Sequence, residues 1–101
     1  MKHILLACSS GMSTSLLVSK MREAAEEKGI EAEIWAVGND KADSEMEKAD
    51  ILLIGPQMRF LKKKLDKRGQ ELGISVEIID PVAYGRMDGE AVLNKALELM
   101  E

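Results

Sequence analysis

The sequence predicts an α/β fold of three layers, in which a four-stranded parallel sheet is flanked by helices on both faces. Four short apolar stretches alternate with four helix-like stretches along the chain, and this alternation indicates right-handed βαβ crossovers and a parallel sheet. Two of the apolar stretches are uninterrupted, which is typical of strands buried on both faces. With 101 residues, the chain is expected to form a single domain, 1–101.

The four predicted strands are HILLA (3–7), EAEIWAV (31–37), DILLIG (50–55) and SVEIID (75–80). The apolar runs of the first and third strands favour the centre of the sheet. Glutamates interrupt the second and fourth strands, which favours positions at the edges. We therefore predict the strand order 2-1-3-4.

The predicted helices are STSLLVSKMREAAEEKG (13–29), NDKADSEMEKA (39–49), QMRFLKKKLDKRGQELG (57–73) and DGEAVLNKALELME (88–101). Apolar residues recur at helical spacing in the first, third and fourth. Gly29 and Gly73 are placed to end two of these helices in the left-handed conformation, and Asp88 is placed to cap the last one. The second helix has little to bury and is expected to be short or irregular.

Cys8, the only cysteine, ends the first strand and opens a loop of small polar residues, CSSGMSTS (8–15). In a sheet of order 2-1-3-4, the winding reverses between strands one and three, and ligands bind there outside the carboxyl ends of the strands. Unpaired amides and the helix dipole at the start of the next helix favour an anion at this point. Gly11 permits the backbone of an anion nest. The hydroxyl donors of the loop are Ser9, Ser10, Ser13, Thr14 and Ser15.

The field that favours an anion would also stabilise a thiolate on Cys8. Lowering the pKa of a cysteine from about 8.5 to about 7 raises its thiolate fraction at neutral pH from about 3% to about 50%. Such a thiolate could attack phosphorus and hold the phosphoryl group on sulfur, while the loop amides bind its oxygens. A lone cysteine after a buried strand is also often a small hydrophobic residue. The residues alone leave both interpretations open.

Composition argues against several other classes of function. The net charge of −4 disfavours a nucleic-acid partner, which would need a concentrated positive face. No apolar run approaches the length of a membrane span, so no direct membrane insertion and a cytoplasmic location are expected. A single cysteine with a single histidine lacks zinc-ligand spacing, and neither a metal nor a cofactor is expected. The loop also lacks the lysine of a nucleotide-binding P-loop.

Three segments in order along the chain resemble a known family: ILLACSSGMSTSLLVSKM, DILLIGPQMRF and VEIIDPVAYGRMDGEAVL. They resemble the cytoplasmic enzyme IIB component of the phosphoenolpyruvate-dependent sugar phosphotransferase system, of the lactose/cellobiose/chitobiose type, over essentially the whole chain. The resemblance implies that Cys8 takes a phosphoryl group from a phosphohistidine on a IIA protein. It implies that Cys8 then passes the group to a sugar, a β-linked disaccharide such as cellobiose, chitobiose or lactose, during uptake through the membrane permease IIC. The phosphate-binding loop implied by position is Ser9, Ser10, Gly11, Met12, Ser13, Thr14 and Ser15.

A low-molecular-weight cysteine phosphatase, similar in fold to this family, is an alternative. The tyrosine phosphatases of that type have the pattern cysteine, five residues, arginine, and the arginine position here is Thr14. Without a guanidinium, the transition-state charge loses its bidentate clamp. The general-acid aspartate would come from near the fourth strand, where Asp80 precedes Pro81 and is expected to have a structural role in a turn. A non-catalytic regulatory domain is a second alternative.

Residues after the third and fourth strands are expected on the same rim as the loop. Gln57, Met58 and Arg59 follow the third strand and could contact the IIA partner, with Pro56 in the first turn of a helix. Tyr84 follows the fourth strand and is expected to fold toward the loop.

Three other side chains complete the predictions. Met12 either packs beneath the loop or faces outward, where it would join Met58 in a flexible apolar ring for partner docking. Leu16 is expected to pack in the core. His3 begins the first strand, ~16 Å from Cys8 along an extended strand, and is expected to be a surface or edge residue.

Overall fold

The computed structural model describes residues 1–8 and 11–100, and for residues 11–13 it describes the backbone alone. The strands are β1 Lys2–Cys8, β2 Ala32–Gly38, β3 Ile51–Ile54 and β4 Ser75–Ile78. They form one parallel sheet in the order β2-β1-β3-β4. The predicted fold class and strand order are confirmed.

Burial differs between the centre and the edges of the sheet as the residue pattern predicted. Every residue of β3 is buried, and so are the last five residues of β1. The edge strands β2 and β4 each contain a single fully buried side chain, Ile34 and Val76. Continuous apolar runs therefore mark the strands that are covered on both faces.

The helices follow the strands in turn. They are α1 Gly11–Glu27, α2 Asn39–Glu45, α3 Lys62–Leu72, α4 Pro81–Gly85 and α5 Gly89–Met100, with 3-10 turns at Met46–Lys48 and Pro56–Leu61. The second predicted helix is short and ends in a 3-10 turn, as expected. The third begins with the 3-10 turn after β3, and α4 was not predicted.

The helices cover both faces of the sheet and enclose two hydrophobic clusters. Alternate residues of β1 point to opposite faces, so Ile4 and Leu6 belong to one cluster while Leu5 and Ala7 belong to the other. The first cluster is closed by α1 and α5, and the second by α2, α3 and the 3-10 turns. This arrangement fixes the last residue of β1 between two packed layers.

The predicted helix ends are present. Gly29 and Gly73 both adopt the left-handed conformation, with φ of 68° and 75°, which closes α1 and α3 without the steric cost of a side chain. Asp88 accepts a hydrogen bond from the backbone N–H of Ala91 at 3.1 Å through its carboxylate, and so caps α5.

Gly89 allows α5 to pack directly on α1. A Cβ atom at this position would lie 2.4 Å from the carbonyl carbon of Lys20 and 2.5 Å from the backbone nitrogen of Met21. Both obstacles are backbone atoms in the middle of a helix, so they have little freedom to move. The glycine at the start of α5 therefore determines how closely these two helices approach.

Arg22 connects α1 to the edge of the sheet. Its guanidinium donates two hydrogen bonds to the carbonyl oxygen of Ile34 in β2, at 2.6 and 3.0 Å. A charged donor forms a stronger bond than a neutral one.

None of the helices in the described part of the chain has both the length and the apolar character that crossing a bilayer requires.

Candidate functional site

Cys8 is the last residue of β1 and is buried, with 1% of its surface exposed. It pairs in register with Gly38, the last residue of β2. Because β1 is a central strand and all four strands run in the same direction, the sulfur lies at the edge of the sheet where every strand ends. We call this the carboxyl edge. The chain enters α1 at Gly11, close behind the cysteine.

The sulfur of Cys8 contacts two side chains that arrive from other parts of the chain. The side-chain amide of Gln57 donates a hydrogen bond to the sulfur, with 3.1 Å between Nε2 and Sγ. The hydroxyl oxygen of Tyr84 lies 3.5 Å from the same sulfur. The amide nitrogen of Gln57 also lies 3.2 Å from the Tyr84 hydroxyl and donates to it. Cys8, Gln57 and Tyr84 therefore form a closed triangle of hydrogen bonds, which we call the sulfur triangle.

Gln57 reaches the sulfur from the 3-10 turn that follows β3. Pro56 occupies the first turn of that element, as predicted, because its fixed φ suits a helix start and its missing N–H is not needed there. Gly55 precedes it, and its own N–H bonds to the carbonyl of Ala7 at 3.0 Å. This bond holds the start of the turn against β1, one residue from the cysteine.

Tyr84 reaches the sulfur from α4, the short helix after β4. Asp80 caps this helix by accepting a hydrogen bond from the N–H of Ala83 at 3.3 Å. The predicted structural role of Asp80 is therefore present. Gly85 ends α4 and Met87 follows in the left-handed conformation, with φ of 53°. The N–H of Asp88 then bonds to the carbonyl of Ala83 at 2.9 Å, which closes the helix.

Thr14 stands in the first turns of α1 and is buried, with 1% of its surface exposed. Its hydroxyl oxygen has no hydrogen-bond partner in the part of the chain that the structure describes. A buried hydroxyl without a partner is unfavourable by about 1–3 kcal/mol, and such groups are rare unless a ligand or ion completes them. Thr14 also occupies the position where the phosphatase pattern has its arginine, so the loop here offers a small hydroxyl instead of a large cation.

The rest of the predicted loop is described only in part. Ser9 and Ser10 lie outside the described residues, as do the side chains of Met12 and Ser13. Ser15 is exposed on α1. The hydroxyls assigned to phosphate binding at positions 9, 10 and 13, and the two alternatives for Met12, therefore stay predictions.

The position of Met58 differs from the prediction that its side chain is exposed beside the loop. Its side chain is 2% exposed and packs in the cluster with Leu65 and Val76, so the prediction that it forms part of an exposed apolar ring is wrong. The backbone at Met58 departs from helical geometry, with φ of −108° and ψ of 16°. This local kink separates its side chain from that of Arg59, which is exposed.

Three exposed apolar side chains near the carboxyl edge were missed or misplaced. Leu16, expected in the core, is 50% exposed, and Phe60 and Val82 are 72% and 60% exposed. Each lies in the first two turns of a segment that starts at the carboxyl edge, after β1, β3 and β4 respectively. Exposed apolar groups near one site are typical of a docking surface for another protein. We call these three residues the apolar rim.

The site brings a sulfur together with groups that favour negative charge. It combines a buried cysteine, a neutral amide donor, a phenol and the start of a helix, whose free N–H groups carry partial positive charge. Within residues 1–8 and 11–100, no three histidine, cysteine, aspartate or glutamate side chains are grouped so that they could hold a metal ion.

Comparison with known proteins gives a consistent family. The family model described as "PTS system, Lactose/Cellobiose specific IIB subunit" matches residues 3–95. A curated relative, the PTS system oligo-beta-mannoside-specific EIIB component of Bacillus subtilis, is 62% identical over 100 residues, which covers 99% of this chain and 97% of the relative.

Two solved structures show the same fold. The cellobiose-specific phosphotransferase IIB component of Borrelia burgdorferi superposes with a TM-score of 0.81 at 39% identity, covering 98% of this chain and 91% of that one. The lactose-specific IIB domain of Streptococcus pneumoniae superposes with a TM-score of 0.89 at 17% identity, covering 99% and 98%. The second likeness bears on the fold alone.

Proposed function

Since the chain belongs to the lactose/cellobiose-specific IIB family of the sugar phosphotransferase system, we propose that it is a phosphoryl carrier that works through a phosphocysteine at Cys8. The carrier takes the phosphoryl group from a phosphohistidine on a IIA protein and gives it to a sugar during uptake through a IIC permease. The observation that carries this proposal is the position of the Cys8 sulfur. It lies at the carboxyl edge, at the end of the central strand β1, just before the chain enters α1 at Gly11.

Both transfers are displacements at phosphorus. In the first, the sulfur of Cys8 forms a bond to phosphorus as the bond to the histidine nitrogen breaks, and the electron pair returns to the imidazole. In the second, a sugar hydroxyl forms a bond to the same phosphorus as the S–P bond breaks. The electron pair returns to Cys8 as a thiolate, and the hydroxyl proton passes to a base on the acceptor side. Such transfers need positioning and charge stabilisation above all.

The start of α1 and Thr14 support a phosphate site next to the sulfur. The first turn of a helix leaves backbone N–H groups unpaired and favours negative charge. The buried hydroxyl of Thr14, unpartnered in the described chain, would gain a partner if a phosphoryl oxygen bound there. We extend the site to residues 9–15, whose amides would hold the three phosphoryl oxygens.

The carrier role also fits what the site lacks relative to a phosphatase. Position 14 holds threonine instead of the clamp arginine, and the carboxylate of Asp80 caps α4. Fast hydrolysis of a phosphocysteine needs both stabilisation of the transition state and a group that activates water. A carrier benefits from the absence of these groups, because its phosphoryl group has to wait for an acceptor.

Docking of IIA and IIC is proposed at the apolar rim. Leu16, Phe60 and Val82 expose apolar surface near the carboxyl edge, and burying such surface drives association between proteins. Gln57, Arg59 and Tyr84 are within three residues of Phe60 or Val82 along the chain and would come close to a docked partner. The polypeptide would work in the cytoplasm, as a single domain formed by residues 1–101, without metal or cofactor.

The sugar is proposed to be a β-linked disaccharide or short oligosaccharide. The name of the relative at 62% identity mentions oligo-beta-mannosides, and that of the Borrelia protein mentions cellobiose. A β-mannoside is therefore the first acceptor to compare with cellobiose, chitobiose and lactose.

The test is a charging experiment. The protein is incubated with phosphoenolpyruvate, the general phosphotransferase proteins and a cognate IIA, and its intact mass and phosphorylated peptides are measured. One added phosphoryl group, mapped to Cys8, supports the carrier. No adduct while IIA is demonstrably phosphorylated would overturn it. Steady hydrolysis of a small aryl phosphate would favour the phosphatase instead, and an unreactive thiol without either activity would favour a regulatory domain.

A further inference from the structure

The sulfur triangle gives Cys8 two hydrogen-bond donors that come from neither its own loop nor α1. Gln57 has two N–H groups on its amide nitrogen, and the structure directs one toward the sulfur at 3.1 Å and one toward the Tyr84 hydroxyl at 3.2 Å. Tyr84 accepts from Gln57 through its hydroxyl oxygen, and the O–H of the same hydroxyl can act as a donor toward the sulfur. The sulfur lies 3.5 Å from that hydroxyl oxygen.

The triangle is strongest in one charge state of the cysteine. A neutral thiol is a weak acceptor, and a phosphorylated sulfur carries no negative charge of its own. A thiolate accepts strongly and has no proton to donate, so in that state both Gln57 and Tyr84 must act as donors. Hydrogen bonds to an ionised group are stronger than those between neutral groups. The triangle therefore favours the thiolate over both the thiol and the phosphorylated sulfur.

Gly55 makes room for the amide of Gln57. A Cβ at Gly55 would lie 3.0 Å from Oε1 and 3.3 Å from Cδ of Gln57, so the side chain of Gln57 folds back over the position where a larger residue would project. The backbone of Gly55 has φ of −58°, which any residue adopts without strain. The glycine therefore serves the placement of the amide rather than the path of the backbone.

We propose that Gln57 and Tyr84 are a donor pair that holds the Cys8 sulfur as a thiolate, and that Gly55 positions the Gln57 amide. The inference rests on the proposed carrier function. In the second transfer, the S–P bond breaks, the electron pair stays on sulfur, and the hydrogen bonds from Gln57 and Tyr84 strengthen as that charge appears. The donor pair thus acts on the sulfur as leaving group as well as on the free thiolate. Gln57 and Tyr84 touch the reacting atom, whereas Gly55 acts through Gln57.

Gln57→Met, Tyr84→Phe, Gly55→Ala and Gln70→Met all leave the charged groups near the sulfur unchanged. The first ionisable residue of α1 is Lys20, more than two turns from its start. The elements after the other strands carry Asp40, Arg59 and Asp80 on the surface, with Asp80 engaged as the cap of α4. A change in the titration of Cys8 on substituting Gln57 can therefore be attributed to the lost donor.

The experiment measures the reactivity of Cys8, the only cysteine, toward a neutral alkylating reagent as a function of pH. The variants are Gln57→Met, which keeps the length and removes both donors, and Tyr84→Phe, which keeps the ring and removes the hydroxyl. Gln70→Met is the matched control, because Gln70 is exposed on α3. Circular dichroism and thermal unfolding check that each variant is folded. Gly55→Ala tests positioning without removing any donor.

We expect the midpoint of the pH profile to rise in Gln57→Met and Tyr84→Phe, with alkylation at pH 7 slowed about three- to tenfold in Gln57→Met. Gln57→Glu should slow it further, since a carboxylate beside the sulfur repels a thiolate. Gly55→Ala should shift the midpoint in the same direction by a smaller amount, and Gln70→Met should not shift it. In a single-turnover assay with IIC membranes, transfer from the phosphorylated protein to sugar should slow in the order of the midpoint shifts.

Unchanged pH profiles in folded Gln57→Met and Tyr84→Phe would overturn the donor pair. Because alkylation needs no phosphoryl donor, its outcome is separate from that of the charging experiment. If the wild-type protein is charged on Cys8 and the profiles do not move, the carrier function stands and the donor pair fails. If the profiles move as expected and the wild-type protein is never charged, the thiolate assignment stands and the carrier function fails.

Discussion

The two ends of β1 carry the chain's only histidine and its only cysteine, and both contact a residue that flanks β3. At the amino end, Asp50 accepts from the backbone N–H of His3 at 2.8 Å and lies 3.1 Å from its ring. At the carboxyl end, Gln57 donates to the sulfur of Cys8. Both contacts join an end of β1 to a residue beside β3. The contact between His3 and Asp50 is exposed to water, whereas the contact between Gln57 and Cys8 is made to a buried sulfur.

The difference follows from the direction of the helices. In a parallel sheet, the helical segment that follows each strand starts at the same edge, so α1, α2, the 3-10 turn at Pro56–Leu61 and α4 all start at the carboxyl edge. The amino end receives helix ends instead, closed by Gly29 and Gly73. Unpaired N–H groups accumulate at one edge and unpaired carbonyls at the other. A side chain that must carry negative charge is therefore favoured at the end where Cys8 lies.

The largest expected effect separates the two ends by function. Cys8→Ser should fold normally and lose phosphoryl transfer entirely, because a serine hydroxyl is not ionised at this site. His3→Ala should leave transfer within about twofold of the wild type, since about five residues of strand, ~16 Å, separate it from the sulfur. Both are measured by charging from phosphorylated IIA. Normal phosphoryl transfer by Cys8→Ser would contradict the role of the carboxyl end. Loss of phosphoryl transfer in a folded His3→Ala would contradict the claim that the amino end takes no part in it.

The next effect tests whether the carboxyl end depends on helix packing. Gly89→Ala should destabilise the protein by about 2–3 kcal/mol, because its Cβ would meet the α1 backbone at 2.4 Å and overpacking of this kind is poorly relieved. Gly85→Ala is the matched control. No atom lies within 4 Å of a Cβ there, and an alanine in a helix should be neutral or stabilising by up to about 1 kcal/mol. Urea unfolding measures both, and equal stabilities would contradict the close approach.

A smaller effect tests the apolar rim. Phe60→Ser should leave stability unchanged, because the ring is 72% exposed. It should raise the concentration of phosphorylated IIA needed for half-maximal charging about tenfold, the usual range for an aromatic residue at the centre of an interface. Phe60→Leu should restore most of the affinity. If Phe60→Ser is charged as the wild type at all IIA concentrations, the docking site lies elsewhere.

The smallest effect sharpens the description of the amino end. The hydrogen bond from the backbone N–H of His3 lowers the pKa of the Asp50 carboxyl below its ordinary value of 3.8; burial opposes this, and the His3 ring adds to the lowering. The folded-state pKa is thus lower than the unfolded one. The carboxylate contributes stability above the unfolded value and loses it as the pH falls through the folded value. Because the side chain is 53% exposed, this contribution should stay below about 1 kcal/mol.

Asp50→Asn should therefore be slightly less stable than the wild type at pH 7, and the difference should shrink as the pH falls below 3.8. Urea unfolding at a series of pH values measures it. Glu26→Gln, on the exposed surface of α1, is the control and should show no difference at any pH. A constant difference between Asp50→Asn and the wild type over the whole series would contradict the assignment.

Much of the fold could be predicted because it depends on local patterns. Uninterrupted apolar runs identified β1 and β3 as central, and glutamates identified the edges. The helix α4 could not be predicted in the same way, because five residues, Pro81–Gly85, are too few to show a periodicity. Its stability depends on the Asp80 cap and on contacts with α5, which are tertiary.

In the candidate site, too, features that depend on local sequence could be predicted, and features that depend on tertiary contacts could not. Cys8 could be located from topology and loop composition, and Gln57 and Tyr84 could be placed on the same rim. Their contact with the sulfur could not be predicted, since it depends on distances between three separate connections. Met58 and Leu16 exchanged their expected environments because the rotation of a helix about its axis is set by packing. A one-residue shift in that rotation moves a side chain through about 100°.

The residues of the sulfur triangle are far apart along the chain, which matters for synthesis and folding. Gln57 and Tyr84 follow Cys8 by 49 and 76 residues, so during synthesis the cysteine is made early and its partners arrive late. Pairing of distant parallel strands is slow because a long loop must close first. Until the segments that carry Gln57 and Tyr84 have docked, the sulfur lacks the hydrogen bonds of the sulfur triangle. If the donor pair acts as proposed, the reactivity of Cys8 during refolding should report when these two distant segments have docked against the end of β1.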